Sequence, residues 1–236
     1  MGMIPPRGQA WRHSLLRSVP PGLLDFLVRH PPVGEAWQRV ETSEKIVALT
    51  FDDGPNPPHT LDLLDVLDRF QVKAAFFMIG RNIAAHPDVA RTVLARGHEL
   101  GNHSYHHTAM LLRTPAFVRS EIDATDALLR QVGVTGEIYF RSPYGAHVFA
   151  VPYVLAQQQR KNILFDVIVE DWIAQDPACI AQRVLDRTVP GSIIVLHDGG
   201  GARAGTVAAA ALIIPALRDR GYRCVSIREL LASARR

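Results

Sequence analysis

A closed or nearly closed parallel α/β barrel, built as one domain, is the fold class that these 236 residues predict. Three observations lead to it. From Glu44 onward, short apolar runs alternate with amphipathic stretches about seven times, a rhythm that calls for parallel strands joined by helices. Gly97, Gly133 and Gly221 each stand where such a helix should stop. The apolar runs themselves end on carboxylates, histidines and an arginine, which is where a barrel of this kind gathers its chemistry.

Residues 1–43 differ from the rest. They are rich in Pro and Arg (Pro5, Pro6, Pro20, Pro21, Pro31 and Pro32 among them), with one short helical candidate at 23–28. They read as an N-terminal extension, packed on the domain or partly loose, and an amphipathic membrane-surface helix is one use for such a segment. The barrel domain is expected over 44–236. Its strands are expected at 46–51, 74–79, 99–102, 138–140, 163–169, 193–196 and 222–227. Helices are expected between them at 60–70, 87–96, 115–131, 151–160, 177–188 and 206–220. In the first of these, Leu61, Leu64, Leu67 and Phe70 recur at helical spacing.

Composition narrows the class further. A hydrophobic fraction of 47% and a charged fraction of 21% are those of an ordinary globular protein. The formal net charge of +3 comes without a basic block or a basic–aromatic stripe, so no nucleic-acid partner is expected. The longest apolar stretch, 207–217, is too short to span a bilayer and contains Pro215, so no transmembrane segment is expected. Arg7, Arg12 and Arg17 precede an apolar stretch that Asp25 interrupts, and no clear signal peptide is readable there. Cys179 and Cys224 match no metal-ligand spacing; each reads as a small core residue, and whether they pair stays open.

The chain is organised around its first strand. Ile46-Val47-Ala48-Leu49 runs through Thr50-Phe51 into Asp52-Asp53, and Gly54-Pro55 then turns the chain. Neighbours on a strand point to opposite sides, so the two carboxylates should meet different environments. One could bind a metal while the other handles a proton. After the third strand comes His103-Ser104-Tyr105-His106-His107, and after the fourth Arg141-Ser142-Pro143-Tyr144-Gly145. The fifth ends in Glu170-Asp171-Trp172 and the sixth in His197-Asp198-Gly199-Gly200. His103 and His107 are four apart, which on a helical turn places both imidazoles on one face. With one carboxylate they make a His-His-Asp set that leaves coordination positions for water, as catalytic metal sites do. Arg141 would keep a neighbouring carboxylate ionised. Asp171 with His197 is a carboxylate–imidazole pair, which fixes the tautomer and supports the charged ring. His59, His86, His98, His106 and His147 read as surface or satisfied polar groups.

Taken in order, Thr50-Phe51-Asp52-Asp53-Gly54-Pro55, His103-Ser104-x-x-His107, Arg141-x-Pro143-Tyr144-Gly145, Asp171-Trp172 and Leu196-His197-Asp198 resemble five motifs of one family. It is the NodB-homology polysaccharide deacetylases, carbohydrate esterase family 4, and the likeness covers about 44–231. Residues 74–80 and 97–103 are similar to the family's second and third strands. Two departures stand out: Ser142 where a proline is frequent, and 165–170 where a Trp-initiated stretch is often found. The second bears on the sugar pocket rather than on the chemistry.

The resemblance implies a distorted (β/α)7 barrel, TIM-barrel-like, that removes N-acetyl groups from N-acetylglucosamine-containing glycans. By position, Asp53, His103 and His107 are implied to bind a divalent metal, commonly zinc, with cobalt, manganese or nickel as alternatives. Asp52, held by Arg141, is implied as the general base, and His197, supported by Asp171, as the general acid. The backbone N–H of Tyr144 is implied to stabilise the oxyanion. Trp172 and Leu196 are implied to line the slot for the acetyl methyl, with Pro143 and Tyr144 also at the substrate. An N-acetylated glycan is the expected partner and a monomer the expected state. Peripheral membrane contact through residues 1–43 is a further expectation; the resemblance implies an extracytoplasmic, cell-envelope location, while the lack of a clear signal peptide leaves a cytoplasmic or membrane-peripheral one open.

Two rival readings use the same residues. One is an O-acetyl esterase acting on a xylan-type polysaccharide. The other is a non-catalytic carbohydrate-binding barrel, which loss of a metal ligand or of Asp52 would favour, and neither loss is seen.

Overall fold

The computed structural model describes residues 35–173 and 176–234. The short helix expected at 23–28 lies outside the described residues. In chain order the strands are β1 (Ala36–Trp37), β2 (Ile46–Asp52), β3 (Ala75–Met78), β4 (Glu99–Asn102), β5 (Asn162–Ile163), β6 (Val167–Ile168), β7 (Ile193–His197) and β8 (Arg223–Cys224). The helices are α1 (His59–Arg69), α2 (Gly80–Ala85), α3 (Pro87–Ala95), α4 (Pro115–Gln131), α5 (Ala150–Gln157), α6 (Pro177–Arg187), α7 (Ala204–Asp219) and α8 (Ile227–Ala232).

Strand β2 is the axis of the fold. All seven of its residues are buried, as expected of an apolar strand covered on both faces. It pairs in parallel with β7, with β3, and at its start with β8. The sheet runs β4-β3-β2-β7-β6. Single parallel bridges from Asn102 to Phe140 and from Phe140 to Asn162 carry the wall on to β5. Between β5 and β6 no ladder is found among the described residues. Residues 36–40 cross this gap: β1 pairs with β5, Arg39 bridges antiparallel to Ser192, and the Val40 N–H donates to Gly191 O at 3.0 Å. The end of the N-terminal stretch is thus built into the wall of a distorted (β/α)7 barrel.

Alternation sorts the strand residues into two cores. Val47, Leu49 and Phe51 of β2, with Phe76 and Met78 of β3 and Ile194 and Leu196 of β7, face the helices. Ile46 and Ala48, with Ala75, Phe77, Ile163 and Ile193, fill the barrel interior. By the same period of two, Thr50 and Asp52 continue the interior column toward the carboxyl end.

Helices α4 and α6 begin where the sequence supplies caps. The Thr114 hydroxyl accepts from the Phe117 N–H and the Asp176 carboxylate from the Ala178 N–H, each followed by a proline at the first helical position. Three expected strands differ from what is found, and the one at 138–140 is reduced to the single bridges at Phe140. The run 163–169 is divided, because the Asp166 side chain turns inward and accepts from the Ile193 N–H and the Ser192 hydroxyl, both at 2.8 Å. The last strand stops at Cys224 because Ser226 caps α8, accepting from the Glu229 N–H at 3.1 Å. Cys179 and Cys224 are both free thiols.

Phe77 fills the interior just beneath the carboxyl end and is 1% exposed. Phe77→Ala is expected to lower the unfolding free energy by about 3–5 kcal/mol, read from urea denaturation. A loss below about 1 kcal/mol would mean that the interior is not packed around this ring.

Candidate active site

Asp52 ends β2 and His197 ends β7, and the two are register partners in the parallel ladder. Their side chains therefore stand next to each other on the interior side of the barrel mouth. Asp53 was expected to point the opposite way, and it does not. It leaves the strand with φ 74°, a conformation that Asp tolerates better than most residues. Its N–H donates to Phe77 O at 3.2 Å and its carbonyl accepts from Asn82 Nδ2 at 2.8 Å. The turn brings both carboxylates to one imidazole: His103 Nε2 lies 3.7 Å from Asp52 Oδ2 and 3.6 Å from Asp53 Oδ1.

His103 and His107 do come together, with ring centroids 4.9 Å apart, but not on a helical turn. They sit on a loop in which Ser104 (φ 65°) and His107 (φ 57°) are left-handed. The donors that a helix would pair internally go to side chains instead. The Ser104 N–H donates to Asn102 Oδ1 at 2.8 Å, and the His107 N–H to Ser104 Oγ at 3.1 Å. His106 lies between them, tied to Glu121 through its N–H (2.8 Å) and its Nδ1 (2.7 Å).

Asp53, His103 and His107 offer three ligand atoms within 4.8 Å of one another. Asp53 Oδ1 is 3.3 Å from His107 Nε2, yet it is buried without a hydrogen-bond partner. An unsatisfied buried acceptor costs about 1–3 kcal/mol, so the oxygen calls for a cation. His103 Nδ1 is 2.7 Å from Arg141 O, which leaves Nε2 as the nitrogen that could ligate. Burial pushes the His103 pKa down to about 3, so the ring is neutral with a lone pair to give. One carboxylate and two imidazoles fit a divalent metal of the zinc kind.

Arg141 lies behind Asp52, fully buried, with Nη1 donating at 2.7 Å both to Asp52 Oδ1 and to Thr50 Oγ1. Its Nε donates to Ile163 O at 2.7 Å, and its guanidinium lies 4.0 Å from the Phe77 ring centroid. Burial pulls the Arg141 pKa down, and the charge and hydrogen bond of Asp52 work against that pull.

On the other side, His197 Nδ1 is 2.8 Å from Asp171 Oδ1, while Asp171 Oδ2 accepts from the His197 N–H (2.9 Å) and the Thr206 hydroxyl (2.7 Å). Burial works to lower the His197 pKa, but the bond to Asp171 and the charges of Asp171, Asp52 and Asp53 outweigh it and leave it raised above 6.5. Burial likewise works to raise Asp171, which the bonds from His197 and Thr206 bring below its ordinary value.

The rim is open. Trp172 packs its ring edge-on against His197, with centroids 4.9 Å apart, and is 39% exposed. Tyr144 follows the buried Pro143 in a 3-10 turn, is left-handed at φ 59°, and is 60% exposed beside His107. Leu196 corrects its expectation. It is 0% exposed in the outer core and is paired in register with Phe51, so it faces the helices rather than the mouth.

A family model described as polysaccharide deacetylase matches residues 39–163, just over half of the chain. The chain belongs to the polysaccharide deacetylase family. This deacetylase is 36% identical over 203 residues to a peptidoglycan-N-acetylglucosamine deacetylase of Bacillus cereus, covering 85% of this chain and 94% of that one. It is 32% identical to a chitooligosaccharide deacetylase of Azorhizobium caulinodans, covering 78% and 93% of the two chains. Among solved structures, a peptidoglycan N-acetylglucosamine deacetylase superposes with a TM-score of 0.80 at 28% identity, over 90% of this chain and 96% of that one.

Several residues that complete the deacetylase site were not singled out from sequence. Thr50 and Asp198 lie inside quoted motifs without a role. Asn82 and Thr206 reach Asp53 and Asp171 from 29 and 35 positions away, a separation that carries no local signal. Asp198 is fully buried, and burial pushes its pKa up to about 7, with the charges of Asp53 and Asp52 adding to the rise and a hydrogen bond from Thr60 opposing it.

The Asp171–His197 geometry has a measurable consequence. In the metal-free deacetylase the His197 ring should titrate above 6.5 by NMR, and Asp171→Asn should move that titration to lower pH. An unmoved His197 titration in Asp171→Asn would contradict the pairing.

Proposed function

We propose that this deacetylase is metal-dependent and removes N-acetyl groups from N-acetylglucosamine-containing glycans, peptidoglycan or chitin-like oligomers, with zinc as the metal. The observation that carries the reading is the register of β2 and β7, which sets a proton acceptor, Asp52, beside a proton donor, His197.

Asp53, His103 and His107 would hold a divalent cation, which would supply Lewis-acid chemistry, making water more acidic and polarising the acetyl carbonyl. Asp52 takes the proton of the attacking water. Its Oδ1 is held by Arg141 while Oδ2 faces the His103 ring, so one oxygen is anchored and the other is left for the proton. The developing oxyanion accepts from the Tyr144 N–H. The C–N bond breaks as His197, whose Nδ1 is held by Asp171, gives the proton on Nε2 to the departing amine. The products are acetate and a free amino sugar. Trp172, standing against His197, forms the wall on which the acetyl methyl packs.

Acetate release from N-acetylglucosamine oligomers, peptidoglycan fragments and acetylated xylan by zinc-loaded protein tests the reading. Release from the first two with free amine in the product is expected. Release from xylan alone would make the chain an O-acetyl esterase, and release from none would contradict the hydrolytic reading.

The two adjacent carboxylates should separate in the same assay. Asp52→Asn is expected to bind zinc normally and lose about 10²–10⁴-fold in turnover, the usual scale for a general base. Asp53→Asn should instead bind zinc weakly and recover partly in excess metal. Rescue of Asp52→Asn by added zinc would reverse the two roles.

A further inference from the structure

The loop after β2 and the loop after β7 are interlocked beneath the mouth, through groups that the chemistry above leaves unused. The Thr60 hydroxyl accepts from the Asn56 N–H at 2.8 Å and donates to Asp198 Oδ2 at 2.5 Å. Asn56 Nδ2 donates to Asp198 O at 3.0 Å and to Gly201 O at 2.9 Å. The N–H groups of Asp198 and Gly199 both donate to Asp52 O, at 3.1 and 3.2 Å.

The two backbones touch. A Cβ on Gly54 would lie 2.2 Å from Asp198 Oδ2, and one on Gly199 would lie 2.0 Å from Asp53 O. The second loop is gathered from below by Arg203, nearly fully buried, which donates to the carbonyls of Gly199 (2.7 Å), Gly200 (3.1 Å) and Ala202 (3.0 Å).

Asp53 is the residue this arrangement serves. It is left-handed at φ 74°, a conformation that persists in a non-glycine residue only when the surroundings over-determine it. Its carbonyl lies against Gly199, its Oδ2 would be 3.2 Å from a Cβ on Gly200, and the next residue is backed by Asp198.

We propose that Thr60, Asp198 and Arg203 are positioning residues, a buckle between the two loops that holds Asp53 in the geometry needed to bind a metal. The inference rests on the reading of Asp53, His103 and His107 as the metal ligands. It assigns the buckle to metal affinity and not to proton transfer.

Zinc titration by calorimetry, together with kcat at saturating zinc, tests this on the full chain. Thr60→Val keeps the shape and removes the hydroxyl; Asp198→Ala removes the acceptor. Both are expected to bind zinc about 10–100-fold more weakly, the range for groups that orient a metal ligand, with kcat recovering toward wild type once zinc saturates. Asp198→Asn keeps an oxygen for Thr60 and should retain most of the affinity. Thr206→Val, which removes a buried hydroxyl from the Asp171 pair, should leave zinc affinity unchanged.

Wild-type zinc affinity in Thr60→Val overturns the buckle, as does an equal loss of affinity in Thr206→Val. His103→Ala separates the two levels of the argument. If it too binds zinc like wild type, the ligand assignment has failed and the buckle falls with it. If it loses zinc while Thr60→Val does not, the buckle alone is wrong.

Discussion

One buried guanidinium holds the barrel mouth together. Arg141 reaches β2 through Asp52 and Thr50, the β5 segment through the carbonyls of Ile163 and Leu164, and β3 through the face of Phe77. Its own carbonyl takes the Nδ1 side of His103. A charge this deeply buried is tolerated only when it is paired and hydrogen-bonded on every side. The bond that pairs it also aims the Asp52 carboxylate at the centre of the site, while the residue's main-chain carbonyl aims the His103 imidazole. Stability of the wall and orientation of the reacting groups are one requirement here.

Around that hub the mouth carries strain where it carries function. Asp53, Ser104, His107 and Tyr144 all have positive φ, at 74°, 65°, 57° and 59°. None is a glycine. Asp53 and Ser104 are held by bonds from outside their own loops or from strand-end side chains, as residues in sparsely populated conformations must be. The strain is what lets adjacent Asp52 and Asp53 face one imidazole, a convergence that a regular strand forbids. On the far side, the Asp171–His197 pair needs no such strain because β7 delivers His197 in register with Asp52.

How much was legible follows from how local each cause is. The six expected helices are present because their apolar spacing is local, helped by caps at Thr114 and Asp176 and by the stops at Gly97, Gly133 and Gly221. The strand ends were legible because polar residues interrupt apolar runs abruptly at Asp52, His103, Arg141, Asp171 and His197. The opposed directions expected for Asp52 and Asp53 failed because the left-handed turn at Asp53 depends on contacts with Phe77, Asn82 and Gly199, far off in sequence. The helical turn expected for His103 and His107 failed because Asn102 and Ser104 satisfy its donors otherwise. Leu196 is a different case. The period of two that points His197 into the mouth points Leu196 away from it, so the signal was in the sequence and the slot assignment ran against it.

Arg141→Lys tests the account most directly. Lysine keeps the charge but has no planar fork, so it cannot hold Asp52, Thr50 and the β5 carbonyls together. The measurement is zinc affinity and turnover of the folded variant beside wild type. The account predicts that both fall, turnover by about 10²-fold or more and zinc affinity by about 10–100-fold, because one residue orients both groups, Asp52 through its guanidinium and His103 through a main-chain carbonyl that the guanidinium's bonds hold in place. An Arg141→Lys protein with wild-type turnover and wild-type zinc affinity would contradict it.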